Sequence, residues 1–137
     1  MITTFLVAVI LSWVIGKGIK TALDIIKEKK LTFKMFFCDG PMPSTHTTSV
    51  VAVAAACILE TGISPVSVLS VVVALLVMED AMKVRWITGQ QSKLLNQQYK
   101  GKKGYTPLLE RVGHRPIEVF AGGIIGVVVP VLVYLII

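Results

Sequence analysis

The chain contains two histidines, and each stands just before a helix is expected to begin. His46 follows Asp39-Gly-Pro-Met-Pro-Ser-Thr45, where Ser44 or Thr45 can cap the next helix. His114 lies in Gly113-His-Arg-Pro-Ile-Glu118, where Pro116 suits a first helical turn. Helix N-termini present N–H groups that lack intrahelical partners and carry positive partial charge. Two of them converging on one face would therefore seat a phosphate, to which Arg85, Arg115 and Lys34 can add full charge. His114 and Glu118 are four residues apart and so share a helix face. A carboxylate in that position holds one ring nitrogen as a donor and leaves the other free to attack. His46, when protonated, can give a proton to the departing alkoxide. Nucleophile, orienting carboxylate and acid make a complete set for phosphomonoester hydrolysis, with no metal or other cofactor required.

The elements that must position these groups follow from composition. The 137 residues are 54% hydrophobic and only 16% charged, with a mean hydropathy of +0.76, whereas a soluble domain is about half apolar and a quarter charged. This excludes disordered, collagen-like and disulfide-framework readings. Cys38 and Cys57 have no metal-ligand spacing, and both read as reduced, Cys57 as a small core residue. Apolar length predicts an all-α, polytopic membrane helical bundle with four transmembrane helices, a single domain over 1–137. The spans fall at about 2–26, 44–60, 65–86 and 116–137, with cytoplasmic loops at about 27–43 and 87–115. The first run lacks a basic leader and a small-residue cleavage site, which favours a permanent helix over a removed signal. Glu60-Thr-Gly-Ile-Ser-Pro65 fits a tight turn, and Pro130 is expected to kink the last span. After Thr88 the polar stretch to Gly113 reads first as a helical extension and then as a flexible loop.

All fourteen Lys and Arg residues fall at the end of span one and its loop, the end of span three and its loop, or the start of span four. In an up-down-up-down bundle these positions form one membrane face, which the positive-inside rule makes cytoplasmic. Both termini are then expected outside the cell membrane and the active site on the cytoplasmic side. The net charge of +6 reads as topology and contact with anionic lipid. A nucleic-acid partner would want basic residues interleaved with aromatics on a soluble surface, and is not expected. Four short helices also favour a homo-oligomer, with the polar loop at its interface.

Three ordered segments carry a family resemblance. They are Gly40-x-Met-Pro-Ser-x-His46, then Asp80-Ala81-x-x-Val84-Arg85-x-x-x-Gly89-x-Gln91 with Leu95-Asn96, then Gly113-His-x-Pro-x-Glu-Val119. Together they resemble the divergent branch of the type-2 phosphatidic acid phosphatase superfamily, related to acid phosphatases and vanadium haloperoxidases. The resemblance implies that His114 is the nucleophile that becomes a phosphohistidine, that Glu118 takes the place of the orienting aspartate, and that His46 is the acid. It also implies that Ser44 and the backbone after it, at Thr45, hold phosphate oxygens, with Gly113 at the same site. The superfamily's first basic motif has no counterpart here, and Arg85 is the candidate substitute, with Asp80 as its partner or positioner. No Ser-Arg pair stands five residues before His114, although Arg111 stands three before it. The activity implied is that of a lipid-phosphate phosphatase acting on a phosphate or diphosphate monoester of phosphatidylglycerophosphate, phosphatidate or polyprenyl type. The alternative from another class is a non-catalytic membrane protein that keeps the phosphate pocket for anionic lipid or for partner assembly. A transporter is disfavoured, since no charge lies near the middle of a span.

Overall fold

Helix starts and stops fall where the capping chemistry puts them. The computed structural model describes residues 2–28, 42–110 and 112–137. The expectations for Lys34, Cys38, the Asp39-Gly40 start of the first segment and Arg111 lie outside the described residues. The helices are α1 (Ile2–Glu28), α2 (Thr45–Thr61), α3 (Pro65–Met82), α4 (Val84–Tyr99) and α5 (Pro116–Ile136), and no strand occurs among the described residues. Ser44 caps α2, its hydroxyl accepting from the Thr47 amide at 3.4 Å. Gly62, at φ 64°, closes the same helix by donating to the Ile58 carbonyl at 2.9 Å. Ser64 and Ser67 then form a reciprocal cap on α3, and Pro65 occupies its first turn.

The protein is a membrane helical bundle with small residues inside and large apolar ones outside. Ala8, Ala52, Ala54, Ala56, Ala74 and Ala81 are buried, whereas Leu6, Ile10, Leu69, Leu76, Phe120 and Leu135 are exposed. In water such a surface would be untenable, but in lipid the tails solvate it, and small residues let helices approach closely enough for dispersion to hold them. α1, the stretch Pro65–Tyr99 and α5 are each long and apolar enough to cross a membrane. α2 has 17 residues, or about 25 Å at 1.5 Å per residue, the short limit for a span. It is the central helix, packed against α1, α3 and α5.

Close approaches fix how α2 sits. A Cβ on Gly16 of α1 would meet the Thr48 side chain at 3.2 Å; one on Gly122 would come within 2.5 Å of the Ser44 carbonyl, and one on Gly126 within 2.8 Å of the Thr48 carbonyl. At the opposite end Ala8 packs with Val129 and Val133, and the Tyr134 hydroxyl donates to the Glu60 carboxylate. α1 and α5 are therefore antiparallel, and the C-terminus of α5 is tied to the end of α2. α5 runs without a break through Pro130, which is buried against its neighbours.

These contacts lead to a stability prediction. Gly122→Val must push α5 off the Ser44 carbonyl, which is backbone and cannot rotate away. We expect a loss of about 1–3 kcal/mol, the ordinary range for overpacking, seen as a lower unfolding temperature in detergent. Gly123→Ala is the control, because nothing lies within 4 Å of its added Cβ; it should leave that temperature unchanged or slightly raised.

The stretch expected as one span over 65–86 is two helices. α3 stops at Met82, Lys83 makes a turn, and α4 continues to Tyr99, so the helical extension expected after Thr88 is present but as a separate helix. Thirty-five residues from Pro65 to Tyr99 would measure about 52 Å as one rod, well beyond a ~30 Å hydrocarbon core, more than a single crossing needs. In an unbroken helix the Ala81 carbonyl would accept from the Arg85 amide. Here it accepts from the backbone amide of His114 at 3.0 Å. The break thus supplies an anchor for the candidate nucleophile.

Candidate active site

His114 is held from three directions. Its backbone is bonded to Ala81 at the α3–α4 junction. Its Nδ1 lies 3.1 Å from Glu118 Oε2, and both residues are only 7% exposed. The same Glu118 oxygen accepts from the Arg115 amide at 3.2 Å, so this carboxylate also caps α5. An ionised carboxylate can only accept, which assigns the ring proton to Nδ1 and leaves the lone pair on Nε2. The i, i+4 spacing read from sequence therefore becomes a buried histidine with one nitrogen oriented and the other available.

Gly113 lets the loop reach this position. Its φ is +91°, and a Cβ there would stand 2.5 Å from the Trp86 amide nitrogen and 2.9 Å from the Arg85 carbonyl carbon. Further back, a Cβ on Gly89 would lie 2.6 Å from the Glu110 carbonyl oxygen. Glu110, Val112 and Gly113 are thus laid against the backbone of α4. Asn96 clamps the loop from that helix: its Nδ2 donates to the Leu108 carbonyl and to Glu110 Oε1, each at 2.8 Å. Its Oδ1 accepts from the Leu108 amide at 2.8 Å and from the Tyr105 hydroxyl at 2.7 Å. All four hydrogen-bonding capacities used here belong to one side chain, which leaves the loop little freedom to slide.

A cleft of about 260 Å³ opens beside His114, lined by residues that include Trp86, Gln90, Glu110, Gly113, Arg115 and Glu118. Sequence reasoning did not assign Trp86, Gln90 or Glu110 to the site. Their signal was the Gly89 and Asn96 pattern, which places a neighbouring chain against α4. No group of three or more potential metal ligands occurs among the described residues.

The other sequence-assigned residues are distributed around this centre. Ser44 is fully buried at the start of α2, and its amide donates to the Glu118 carbonyl at 3.1 Å, so the two helix starts do meet. Its hydroxyl is engaged by the Thr47 amide and hydroxyl. Thr45 is buried as the first residue of α2, whereas the His46 side chain is exposed. Arg85 Nε donates to Asp80 Oδ2 at 2.9 Å in an exposed pair. Among the described residues, none of Ser44, Thr45, His46, Asp80 and Arg85 lines the His114 cleft.

Sequence reasoning also passed over Lys20, which is 1% exposed. The residues four apart before it on α1, Ala8, Ser12 and Gly16, are buried as well. That spacing could have marked Lys20 as the end of an inward-facing stripe.

These features define a polytopic, all-α integral membrane protein whose polar centre is built where α3, α4 and α5 meet at one end of the bundle. Residues 2–129 match the Divergent PAP2 family, and the chain belongs to that family. It is 30% identical to a protein of Bacillus subtilis (strain 168) described as the uncharacterized membrane protein YuiD, over 83% of this chain and 83% of that one. No solved structure matches it.

Proposed function

We propose that this protein is a lipid-phosphate phosphatase that works through a phosphohistidine on His114. The observation that carries the reading is the buried Glu118–His114 pair, which leaves Nε2 as the free lone pair beside a polar cleft. In the first step Nε2 bonds to phosphorus as the ester P–O bond breaks, and the leaving oxygen takes a proton from His46, whose role as acid rests on the family resemblance, since its side chain is exposed and does not line the cleft. In the second, water attacks the phosphorus, the N–P bond breaks, His46 takes the water's proton, and inorganic phosphate leaves. By the positive-inside rule the site faces the cytoplasm and both termini lie outside. Phosphate release from phosphatidylglycerophosphate, phosphatidate and polyprenyl phosphates by the purified protein in detergent tests this. Release from none of them would leave the anionic-lipid-binding role in its place.

A substrate already in the bilayer suits the surface beside the site. An apolar groove of about 360 Å³ runs between α2, α3 and α5, lined by residues that include Val51, Ala55, Leu59, Leu75 and Met78. Met78 is one turn from Ala81, whose carbonyl anchors His114. A hydrocarbon chain lying there would keep its headgroup at the cleft. Ala55→Phe is then expected to lower turnover of long-chain lipid phosphates several-fold while sparing a short-chain, water-soluble ester. An equal loss on both substrates would remove the groove from substrate binding.

A further inference from the structure

Between Ala81 and Leu109 the chain carries six basic residues and no acidic one, a surplus equal to its whole net charge of +6. Lys83 and Arg85 are paired back to Glu79 and Asp80 on α3. Lys93, Lys100, Lys102 and Lys103 meet no carboxylate within ion-pair distance among the described residues. Lys102 instead stands over the Tyr99 ring, 4.3 Å from its centre.

α4 occupies most of this segment, and its two sides differ. Val84, Ile87, Leu94 and Leu95 fall within about 100° of helical arc, and each is at least 41% exposed. Gly89 and Asn96 lie on the opposite side, where the Glu110 and Val112 backbone packs on Gly89 and Asn96 holds Leu108 and Glu110. Among the described helices α4 packs only against α3, so no helix covers the apolar arc. The helix is too polar for hydrocarbon, since Gln90, Gln91, Lys93, Asn96, Gln97 and Gln98 follow one another closely. Yet only Lys83 separates it from the apolar α3, so its arc starts at the membrane boundary. A basic amphipathic helix in that place suits the headgroup layer, with the apolar arc toward the acyl chains and the lysines after Tyr99 among anionic headgroups. We infer that α4 docks flat on anionic lipid at the leaflet its end of the bundle faces. The loop that Asn96 grips on the other side, and His114 with it, is thereby held at headgroup height. This docking is independent of catalysis.

The experiment reads depth in vesicles of phosphatidylcholine, with or without phosphatidylglycerol, that carry nitroxide lipids. The full chain bears Cys38→Ser and Cys57→Ala, and one fluorescent label at Leu94→Cys or, on the opposite side, at Lys93→Cys. In anionic vesicles the Leu94 label should be quenched most by a nitroxide high on the acyl chain, about 5–10 Å into the interface, and the Lys93 label far less. Quenching at Leu94 should fall about twofold or more in neutral vesicles, and equally when Lys100, Lys102 and Lys103 are all changed to Gln. Strongest quenching from a chain-end nitroxide would make α4 part of a span and overturn the docking. Equal quenching at the two positions, or in the two lipids, overturns it as well. So does the absence of quenching at both, and self-quenching between Leu94 labels would then assign the arc to a second copy. Hydrogen exchange of the unmutated chain gives a check without substitutions: amides of residues 84–99 should exchange more slowly in anionic than in neutral vesicles, and equal rates overturn the inference.

Discussion

Replacing His114 with alanine should abolish phosphate release, a loss on the order of 10³-fold or more, without unfolding the protein. The imidazole is the sole proposed bond-forming group, and removing a nucleophile leaves only whatever binding and charge stabilisation the rest of the site provides. The fold should survive because His114 is anchored through its backbone amide on the Ala81 carbonyl, which alanine retains. The capping bond from the Arg115 amide to Glu118 is also retained. Glu118→Gln makes the complementary test. It keeps the shape and an acceptor oxygen but removes the charge that stabilises the imidazole as its Nε2 becomes bonded to phosphorus. A fall on the order of 10²-fold or more is expected, by the logic of a carboxylate-oriented histidine. The measurement is single-turnover release from labelled lipid phosphate with an alkaline quench, in which wild type should show a protein-bound phosphoryl group and His114→Ala none. Persistent labelling of His114→Ala would move the nucleophile elsewhere. Labelling of wild type without turnover would mean that the second step, attack by water, is the one this chain lacks.

Much of this arrangement was legible in the sequence because it depends on local periodicity. The His114–Glu118 pair needs only four residues of helix, the cap at Ser44 only its own side chain, and the helix start at Pro116 only its ring. Apolar length located the helices for the same reason. Tertiary competition for backbone groups was not legible. Nothing in the apolar pattern of the third span announces that Ala81 will give its carbonyl to His114 instead of to Arg85, and that exchange sets the break at Lys83. The role of Asn96 is equally non-local, since its partners stand twelve and fourteen residues away. The burial of Lys20 is not legible either, because its stripe on α1 acquires meaning only once the antiparallel partner is known. The exposed position of His46 is likewise a tertiary fact that a capping pattern cannot supply.

Gly113→Ala should cost activity nearly as heavily as a change in the reacting residue itself, although the added methyl group takes no part in chemistry. Two penalties act at once. At φ +91° an L-residue is strained, and the new Cβ would stand 2.5 Å from the Trp86 amide nitrogen and 2.9 Å from both the Arg85 carbonyl carbon and Trp86 Cα. All three atoms belong to backbone, so the loop must lift. The next residue along that loop is His114, whose amide must reach the Ala81 carbonyl. A misplacement of about 1 Å at a reacting group costs on the order of 10²-fold in rate, and a loss of that size in kcat is expected with a smaller change in KM. Two controls separate the causes. Gly104→Ala carries a similar strain at φ +85° with nothing within 4 Å; it should lower stability by about 1 kcal/mol and leave kcat unchanged. Gly89→Ala has no unusual φ but meets the Glu110 carbonyl oxygen at 2.6 Å, so it should lower kcat in the same direction as Gly113→Ala. If Gly104→Ala lost kcat as heavily as Gly113→Ala while Gly89→Ala did not, loop strain alone would govern activity. The seating of the loop on α4 would then have no part in placing His114.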